Sequence, residues 1–182
     1  MTPKGKLIII GGAIDTGSFT ETQFGMPQNM NFFERGILKR ITVESLKDTA
    51  SRFEIITTAS LIPERVGEEY IRAFAHLDVH DVGVLNINSR EQANAPENCE
   101  RIKAADVIVF TGGDQLRLSS IFGGTAIHQI LLDKYQNEEV VIAGTSAGAA
   151  ASSKNMIYQG SSKDALLKGE VKITGGLGFI DG

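Results

Sequence analysis

This 182-residue sequence has a single cysteine and no long apolar run, and each of these features excludes a class of protein. One cysteine, Cys99, excludes an internal disulfide framework and suits a reducing compartment. No segment approaches the length of a membrane span, and the apolar run before Gly11 is too short for a signal-peptide core. We therefore expect a soluble, cytoplasmic protein without a membrane partner, and secretion stays open only for a processed form.

Clusters of basic residues and nucleotide-binding motifs are also lacking. The chain has 18 Lys and Arg against 22 Asp and Glu, and its net charge of -4 gives no general reason to expect nucleic acid as a partner. The glycine-rich stretch 11–17 lacks the spacing of the dinucleotide fingerprint, and no Gly-Lys-Ser/Thr follows any apolar run. We expect neither a nucleic-acid partner nor a cofactor.

Short apolar runs that alternate with helical patterns indicate the fold. The runs are rich in β-branched residues, and Gly, Ser or Asn closes them, at 7–10, 54–60, 81–87, 106–110 and 140–145. Helical patterns lie between them, at 31–50, 63–77, 95–105 and 125–135, with Asn31, Pro63 and Thr125 at helix starts. This alternation predicts an α/β fold in which helices flank a mostly parallel central sheet, formed by one domain over 1–182.

Helical spacing also predicts which side chains face the sheet. The predicted inward residues are, in chain order, Phe33, Ile37, Ile41, Leu46, Tyr70, Ile71, Phe74, Leu77, Cys99 and Ile102.

Three glycine-containing segments follow predicted strands and should meet at one edge of the sheet. They are 11–15, 111–115 and 145–148. In open parallel sheets ligands bind beyond the carboxyl ends of the strands, and glycines let backbone N–H groups approach a ligand closely. The candidate site therefore lies at this edge.

The most specific motif is Gly-x-Ser-x-Gly at 144–148, between an apolar strand and a helix start. In that context the pattern is typical of a nucleophile elbow, which exposes the Ser146 hydroxyl at the tip of a sharp turn. The N–H of Ala147 can then face an oxyanion, with a second donor from the loop containing Gly113. The alternative is a small-residue turn in which the hydroxyl only caps a helix. The strand–elbow–helix context favours the nucleophile.

A nucleophilic serine needs a base, and none is evident. His76 and His80 lie before a strand, at the opposite end from the site, so we interpret them as a solvated helix end rather than a metal pair. His128 lies along a predicted helix and is interpreted as a surface or packing residue. A Ser–Lys arrangement with Lys154 or Lys163 has no supporting spacing. No metal site is predicted.

Five segments occur in the order and spacing found in cyanophycinases: GGAID, SREQA, FTGGDQLRL, AGTSAGAAAS and GGLGF. The chain resembles this family of serine peptidases, which are related to aspartyl dipeptidases and to class I glutamine amidotransferases. The resemblance implies a three-layer, class I glutamine amidotransferase-like fold and a homodimer. It also implies hydrolysis of cyanophycin, a poly-aspartate with arginine on each β-carboxylate, to β-aspartyl-arginine dipeptides.

The resemblance also implies residue roles. Ser146 matches the family nucleophile, and Gly113 and Ala147 match the oxyanion-hole positions. Gln115 matches a substrate-binding glutamine beside the nucleophile.

Three charged residues are weaker candidates for the substrate site. Asp114 belongs to the same motif as Gln115, but its own chemistry favours fixing the turn through the backbone. Asp15 and Arg90 fall in loops at the same edge, where each either meets a zwitterionic substrate or is an ordinary surface charge.

The sequence departs from the family pattern after 175–179. Family members continue with an Asp-x-His-Phe motif, whose histidine is the general base, and with several arginines that line the substrate pocket. Here the sequence reaches Gly182. A piece of a longer protein or a truncated product is favoured over a catalytically inactive relative. We expect the 182-residue chain alone to be inactive. The alternative functions are a different aspartyl or isoaspartyl peptide hydrolase and a non-catalytic module that binds a small ligand.

Overall fold

The computed structural model describes residues 2–12, 36–159 and 171–180. Its central sheet is built from five strands: β1 (Lys6–Ile10), β2 (Phe53–Ile56), β3 (Val82–Leu85), β4 (Val107–Phe110) and β5 (Val141–Thr145). The order across the sheet is β1-β5-β4-β2-β3, and every pairing is parallel. The parallel sheet predicted from the sequence is confirmed.

In the described residues, a proline or a capping side chain marks the start of four of the six α-helices. The six are α1 (Ile37–Glu44), α2 (Pro63–Ala75), α3 (Pro96–Ala104), α4 (Gln115–Phe122), α5 (Ala126–Asn137) and α6 (Ala147–Ala151). The first helix begins at Ile37, after Gly36, and Asn31, its predicted start, lies outside the described residues. α2 and α3 begin with a proline, and the hydroxyl of Thr125 accepts a hydrogen bond from the third residue of α5. None of the helices in these three described ranges combines the length and the apolar character that are needed to span a lipid bilayer.

The three central strands, β5, β4 and β2, are buried on both faces, which explains why they are mostly apolar. In β4, Val107 and Val109 pack with α1 and α2, whereas Ile108 and Phe110 pack with α3, α4, α5 and α6. The alternation of neighbouring side chains between two separate cores produces the three layers. This arrangement confirms the expected α/β class.

Most of the inward-facing residues predicted from helical spacing are buried, namely Ile41, Tyr70, Phe74, Leu77, Cys99 and Ile102. Three predictions are wrong. Leu46 is 68% exposed because α1 ends at Glu44, and Ile37 is exposed as the first residue of that helix. Ile71 is exposed because the next residue on a helix is rotated by about 100° from its buried neighbour. Phe33 lies outside the described residues.

A small antiparallel sheet, β6 (Asn155–Gln159) and β7 (Lys172–Gly175), was not predicted. Met156 is the only fully buried residue in these two strands, and the paired side chains of Ile157 and Ile173 are exposed. The apolar pattern of each strand is therefore too short to indicate a strand from sequence alone.

One charged residue interrupts the apolar run of β2 and is fully buried. The carboxylate of Glu54 accepts two hydrogen bonds from the Arg101 guanidinium, at 3.1 and 2.6 Å, and one from Arg52 at 3.3 Å. A buried carboxylate needs such partners because desolvation penalises its charge. The pair joins α3 to the strand it covers.

Asp106, which precedes β4, gives a pH-dependent contribution to stability. Burial alone would raise the pKa of this carboxyl group, but the Arg52 N–H at 2.9 Å and the Lys47 ammonium at 2.7 Å outweigh it and hold the pKa below its ordinary value of 3.8. Because the pKa is lower in the folded state than in the unfolded state, the ionised carboxylate stabilises the fold at pH values above the unfolded-state pKa. This stabilisation is lost as the pH falls through the folded-state pKa.

We expect Asp106→Asn to lower the free energy of unfolding at pH 7 by about 1 kcal/mol. The difference from the wild type should begin to shrink below about pH 4, the pKa of an unfolded-state Asp, because the unfolded chain takes up a proton there before the folded protein does. Urea denaturation at pH 7, 5 and 3 measures the difference in the free energy of unfolding. The matched control is Glu139→Gln, which replaces an exposed carboxylate. A difference that stays constant down to pH 3 would contradict this assignment.

Candidate active site

The three glycine-containing segments meet as expected because β1, β5 and β4 are neighbours in the sheet. Ile10 pairs with Thr145, and Phe110 pairs with Gly144, so the chain leaves all three strands at the same edge. The segment after β5 therefore lies between the segments after β1 and β4. Asp15, predicted to face this edge, lies outside the described residues.

Ser146 forms the tip of the turn between β5 and α6. Its φ of 50° and ψ of -107° are strained for a residue with a side chain, and the residue is exposed. The Ser146 N–H donates to the carbonyl of Ile10 at 3.0 Å, and its carbonyl accepts from the Ala150 N–H at 2.9 Å. The side chain makes no capping bond to α6. The arrangement is that of an elbow with an exposed serine at its tip.

The two glycines of the motif are required by packing. A Cβ on Gly144 would lie 2.5 Å from the carbonyl oxygen of Gly148, and a Cβ on Gly148 would overlap the carbonyl oxygen of Phe110. The first turn of α6 thus packs directly on the backbones of β5 and β4. Any side chain at these two positions would push the helix away and change the direction of Ser146.

The segment after β4 lies against the elbow. A Cβ on Gly112 would be 3.3 Å from the Cβ of Ser146 and 3.9 Å from its Oγ. Gly113 has a φ of +140°, and a Cβ there would overlap the carbonyl oxygen of Ala59, to which the Asp114 N–H donates at 2.9 Å. The glycine pair therefore brings backbone beside the Ser146 hydroxyl and rests on the segment that follows β2.

Ala147 is the first residue of α6, so its N–H has no acceptor within that helix. The oxyanion hole predicted from the sequence would combine this N–H with that of Gly113, which follows the residue in contact with Ser146. An exposed hydroxyl beside such groups suits attack on a carbonyl carbon. The roles of Ser146, Gly113 and Ala147 remain predictions.

The two residues after Gly113 are engaged by the protein. Asp114 caps α4, since its carboxylate accepts from the N–H groups of Leu116 at 2.8 Å and Arg117 at 3.3 Å. This is the turn-fixing contact that its chemistry favoured. The Gln115 side chain donates from Nε2 to the carbonyl of Tyr158 at 3.4 Å, which ties α4 to β6. Whether either residue also binds substrate remains a prediction.

Arg90 lies at the other end of α4. Its guanidinium donates to the carbonyls of Ser120 at 3.0 Å and Gly123 at 2.7 Å, where it satisfies carbonyls at the C-terminal end of that helix. The residue is exposed, and its contact with substrate remains a prediction.

The histidines lie where the sequence indicated. His76 and His80 are exposed at the amino end of β3, remote from the carboxyl edge. The Nδ1 of His128 accepts from the Gly124 N–H at 2.9 Å, and its Nε2 lies 2.9 Å from the carbonyl of Leu177. Both nitrogens of His128 are thus occupied by packing contacts.

The described parts of the chain hold no group of three or more His, Cys, Asp and Glu side chains that could bind a metal ion.

One hydrogen bond at the site could not be predicted from the sequence. The hydroxyl of Thr145, which is buried, donates to the carbonyl of Gly12 at 2.7 Å, and these residues are 133 positions apart. Local pattern carries no information about such a distant contact.

Comparison with known proteins identifies the family of this chain. A model of "Peptidase family S51" matches residues 35–182. Cyanophycinases from Trichormus variabilis and Geminocystis herdmanii are 35% and 34% identical to this chain over 126 residues, which is 69% of it. That region covers only 42% and 46% of the two relatives, so the match spans less than half of their length.

Solved structures share the fold. A peptidase from an acI-B1 Actinobacterium superimposes with a TM-score of 0.68 at 22% identity, covering 97% of this chain and 65% of that one. A putative peptidase E protein from Listeria monocytogenes gives a TM-score of 0.57 at 22% identity, covering 82% and 71%.

Proposed function

Because the chain belongs to peptidase family S51, we propose that it supplies the nucleophile-bearing part of a serine-type exopeptidase that hydrolyses cyanophycin to β-aspartyl-arginine dipeptides. The observation that carries this proposal is the exposed, strained Ser146 at the tip of the elbow, where packing requires glycine at both Gly144 and Gly148. Backbone strain costs stability, and it persists chiefly where function uses the geometry. A plain capping turn needs neither the strain nor the exposure.

The proposed chemistry is acyl transfer. The Ser146 Oγ attacks the carbonyl carbon of the scissile bond while its proton passes to a general base, and the N–H groups of Gly113 and Ala147 stabilise the oxyanion that forms. The base then protonates the leaving amine. Water, deprotonated by the same base, then hydrolyses the acyl-enzyme, which releases the acyl part of the substrate as a carboxylic acid and restores the Ser146 hydroxyl.

We assign the base to a histidine in the polypeptide that follows Gly182 in longer family members. Two observations support this assignment. His76 and His80 lie at the amino end of the sheet, and both nitrogens of His128 are occupied. The matched region also covers less than half of the cyanophycinases.

The names of the relatives support the substrate. Cyanophycinases are 32–35% identical to this chain over 126 residues. The loop beside the elbow and the elbow itself carry FTGGDQLRL and AGTSAGAAAS, two of the segments by which the chain resembles that family. We propose that Gln115, Asp114, Asp15 and Arg90 contribute to binding the charged substrate, that the enzyme is a cytoplasmic homodimer, and that residues 1–182 form one domain.

Hydrolysis of cyanophycin tests the proposal. We expect a full-length protein that includes the Asp-x-His-Phe segment to release β-aspartyl-arginine, and the 182-residue chain to be at least about 10²-fold slower because it lacks general-base assistance. Mass spectrometry of the soluble products measures both rates. Poly-aspartate without arginine is the control substrate. Equal rates in the two proteins would place the base within residues 1–182 and refute the assignment.

A non-catalytic binding module is the second candidate. The occupied nitrogens of His128 favour it for this chain taken alone. A fluorophosphonate probe separates the two functions on the full-length protein, because only an activated serine is labelled. Mass increase on the peptide containing Ser146 supports the peptidase, and binding of β-aspartyl-arginine without labelling supports the module.

A further inference from the structure

The strained elbow is held by contacts on both sides of Ser146. After it, the Ala150 N–H donates to the Ser146 carbonyl at 2.9 Å, as the first hydrogen bond of α6. Before it, the elbow is joined to the end of β1 at two points: the Ser146 N–H donates to the Ile10 carbonyl at 3.0 Å, and the Thr145 hydroxyl donates to the Gly12 carbonyl at 2.7 Å.

Of these two bonds to the end of β1, the one from Thr145 is donated by a side chain. The residue is buried, and its hydroxyl crosses from β5 to the segment after β1, where Gly12 has a φ of +83°. That segment leaves the sheet beside the elbow. A strained residue keeps its conformation only when its surroundings over-determine it. Removal of the hydroxyl would leave the Gly12 carbonyl without this donor and the elbow with one backbone bond to β1.

We propose that Thr145 is a positioning residue whose hydroxyl tethers the elbow to the end of β1 and so holds the Ser146 Oγ in its attacking direction. This inference rests on the proposed function of Ser146. Thr145 touches neither substrate nor reacting atoms. Its effect should therefore appear in the reactivity of the serine and not in the affinity for product, because an attacking atom displaced by an ångström loses rate while binding contacts elsewhere persist.

Two variants of the full-length protein isolate the hydroxyl. Thr145→Val keeps the β-branched shape and removes the donor, whereas Thr145→Ser keeps the donor and removes the methyl group. We expect Thr145→Val to react with a fluorophosphonate probe about 10-fold more slowly than the wild type, and Thr145→Ser to react within about 2-fold of it. The dissociation constant for β-aspartyl-arginine should stay within about 2-fold in both.

Amide hydrogen exchange provides a readout that does not depend on catalysis. In Thr145→Val the Ser146 amide should exchange about 10-fold faster, whereas the Asp114 amide, bonded to Ala59 at the same edge, should be unchanged. Thr145→Ser should restore the wild-type rate at Ser146. A purely structural role would accelerate both amides together.

The outcomes separate this inference from the function on which it rests. Unchanged exchange at Ser146 in Thr145→Val overturns the inference, and so does equal impairment of the Val and Ser variants, which would assign the effect to the methyl group. A wild-type protein that the probe does not label overturns the proposed function. In that case faster exchange in Thr145→Val with rescue by Ser still establishes the tether.

Discussion

Ser146→Ala should lower the turnover of cyanophycin by about 10³-fold or more in the full-length protein while leaving β-aspartyl-arginine binding within about 2-fold. The alanine keeps the Cβ and hence the backbone conformation of the elbow, and only the attacking oxygen is lost. Release of dipeptide by mass spectrometry and calorimetric titration of product measure the two quantities.

The matched control for this variant is Ser153→Ala, which removes a serine hydroxyl just beyond α6 that, among the described residues, bonds to the carbonyls of Ala150 and Asn155. Its turnover should stay within about 3-fold of the wild type. Turnover retained by Ser146→Ala would refute the assignment of the nucleophile.

Ser146→Gly extends the same argument to stability. Strain at a non-glycine residue in this conformation costs about 1–3 kcal/mol, and a glycine relieves it at an entropic cost of about 0.5–1 kcal/mol. We therefore expect Ser146→Gly to be as inactive as Ser146→Ala and more stable by about 1 kcal/mol. Urea unfolding compares the two. A glycine variant that is less stable than the alanine variant would show that the elbow is unstrained.

Gly113→Ala should have the largest effect on stability. A Cβ at this position would overlap the carbonyl oxygen of Ala59, and the φ of +140° suits glycine alone. The clash is with backbone, which cannot rotate away as a side chain can. We expect a loss of about 3 kcal/mol or more in the free energy of unfolding, measured by urea denaturation. We also expect turnover to be lost, because the loop must leave its place beside Ser146.

Gly124→Ala is the matched control for the effect of φ. Gly124 also has a positive φ, +73°, but a Cβ there would meet nothing within 4 Å. Its replacement should cost only the conformational penalty, about 1 kcal/mol, and leave turnover unchanged. Equal losses in the free energy of unfolding of the two variants would show that the clash with Ala59 does not contribute to the destabilisation by Gly113→Ala.

Much of the fold follows from local pattern. Each predicted strand is found within a few residues of its predicted bounds, because a run of β-branched residues between turn residues is buried on both faces only in a parallel sheet. The exceptions have local causes. In β6 and β7 only Met156 is buried, so the few apolar residues of these strands form no pattern that marks a buried face. Helix α4 begins inside a glycine-rich stretch whose sequence is typical of a loop, and the Asp114 cap marks its start.

The sequence by itself determined the five strands, the α/β class and the elbow motif around Ser146, because each depends on residues close together in the chain. Only the tertiary structure decided that β1 and β4 flank β5, that Gly113 rests on Ala59, and that Thr145 bonds to Gly12. The last two contacts join residues that are 54 and 133 positions apart, and the order of strands in the sheet brings them together. Periodicity reports which side of an element is buried, but not which distant backbone lies against it.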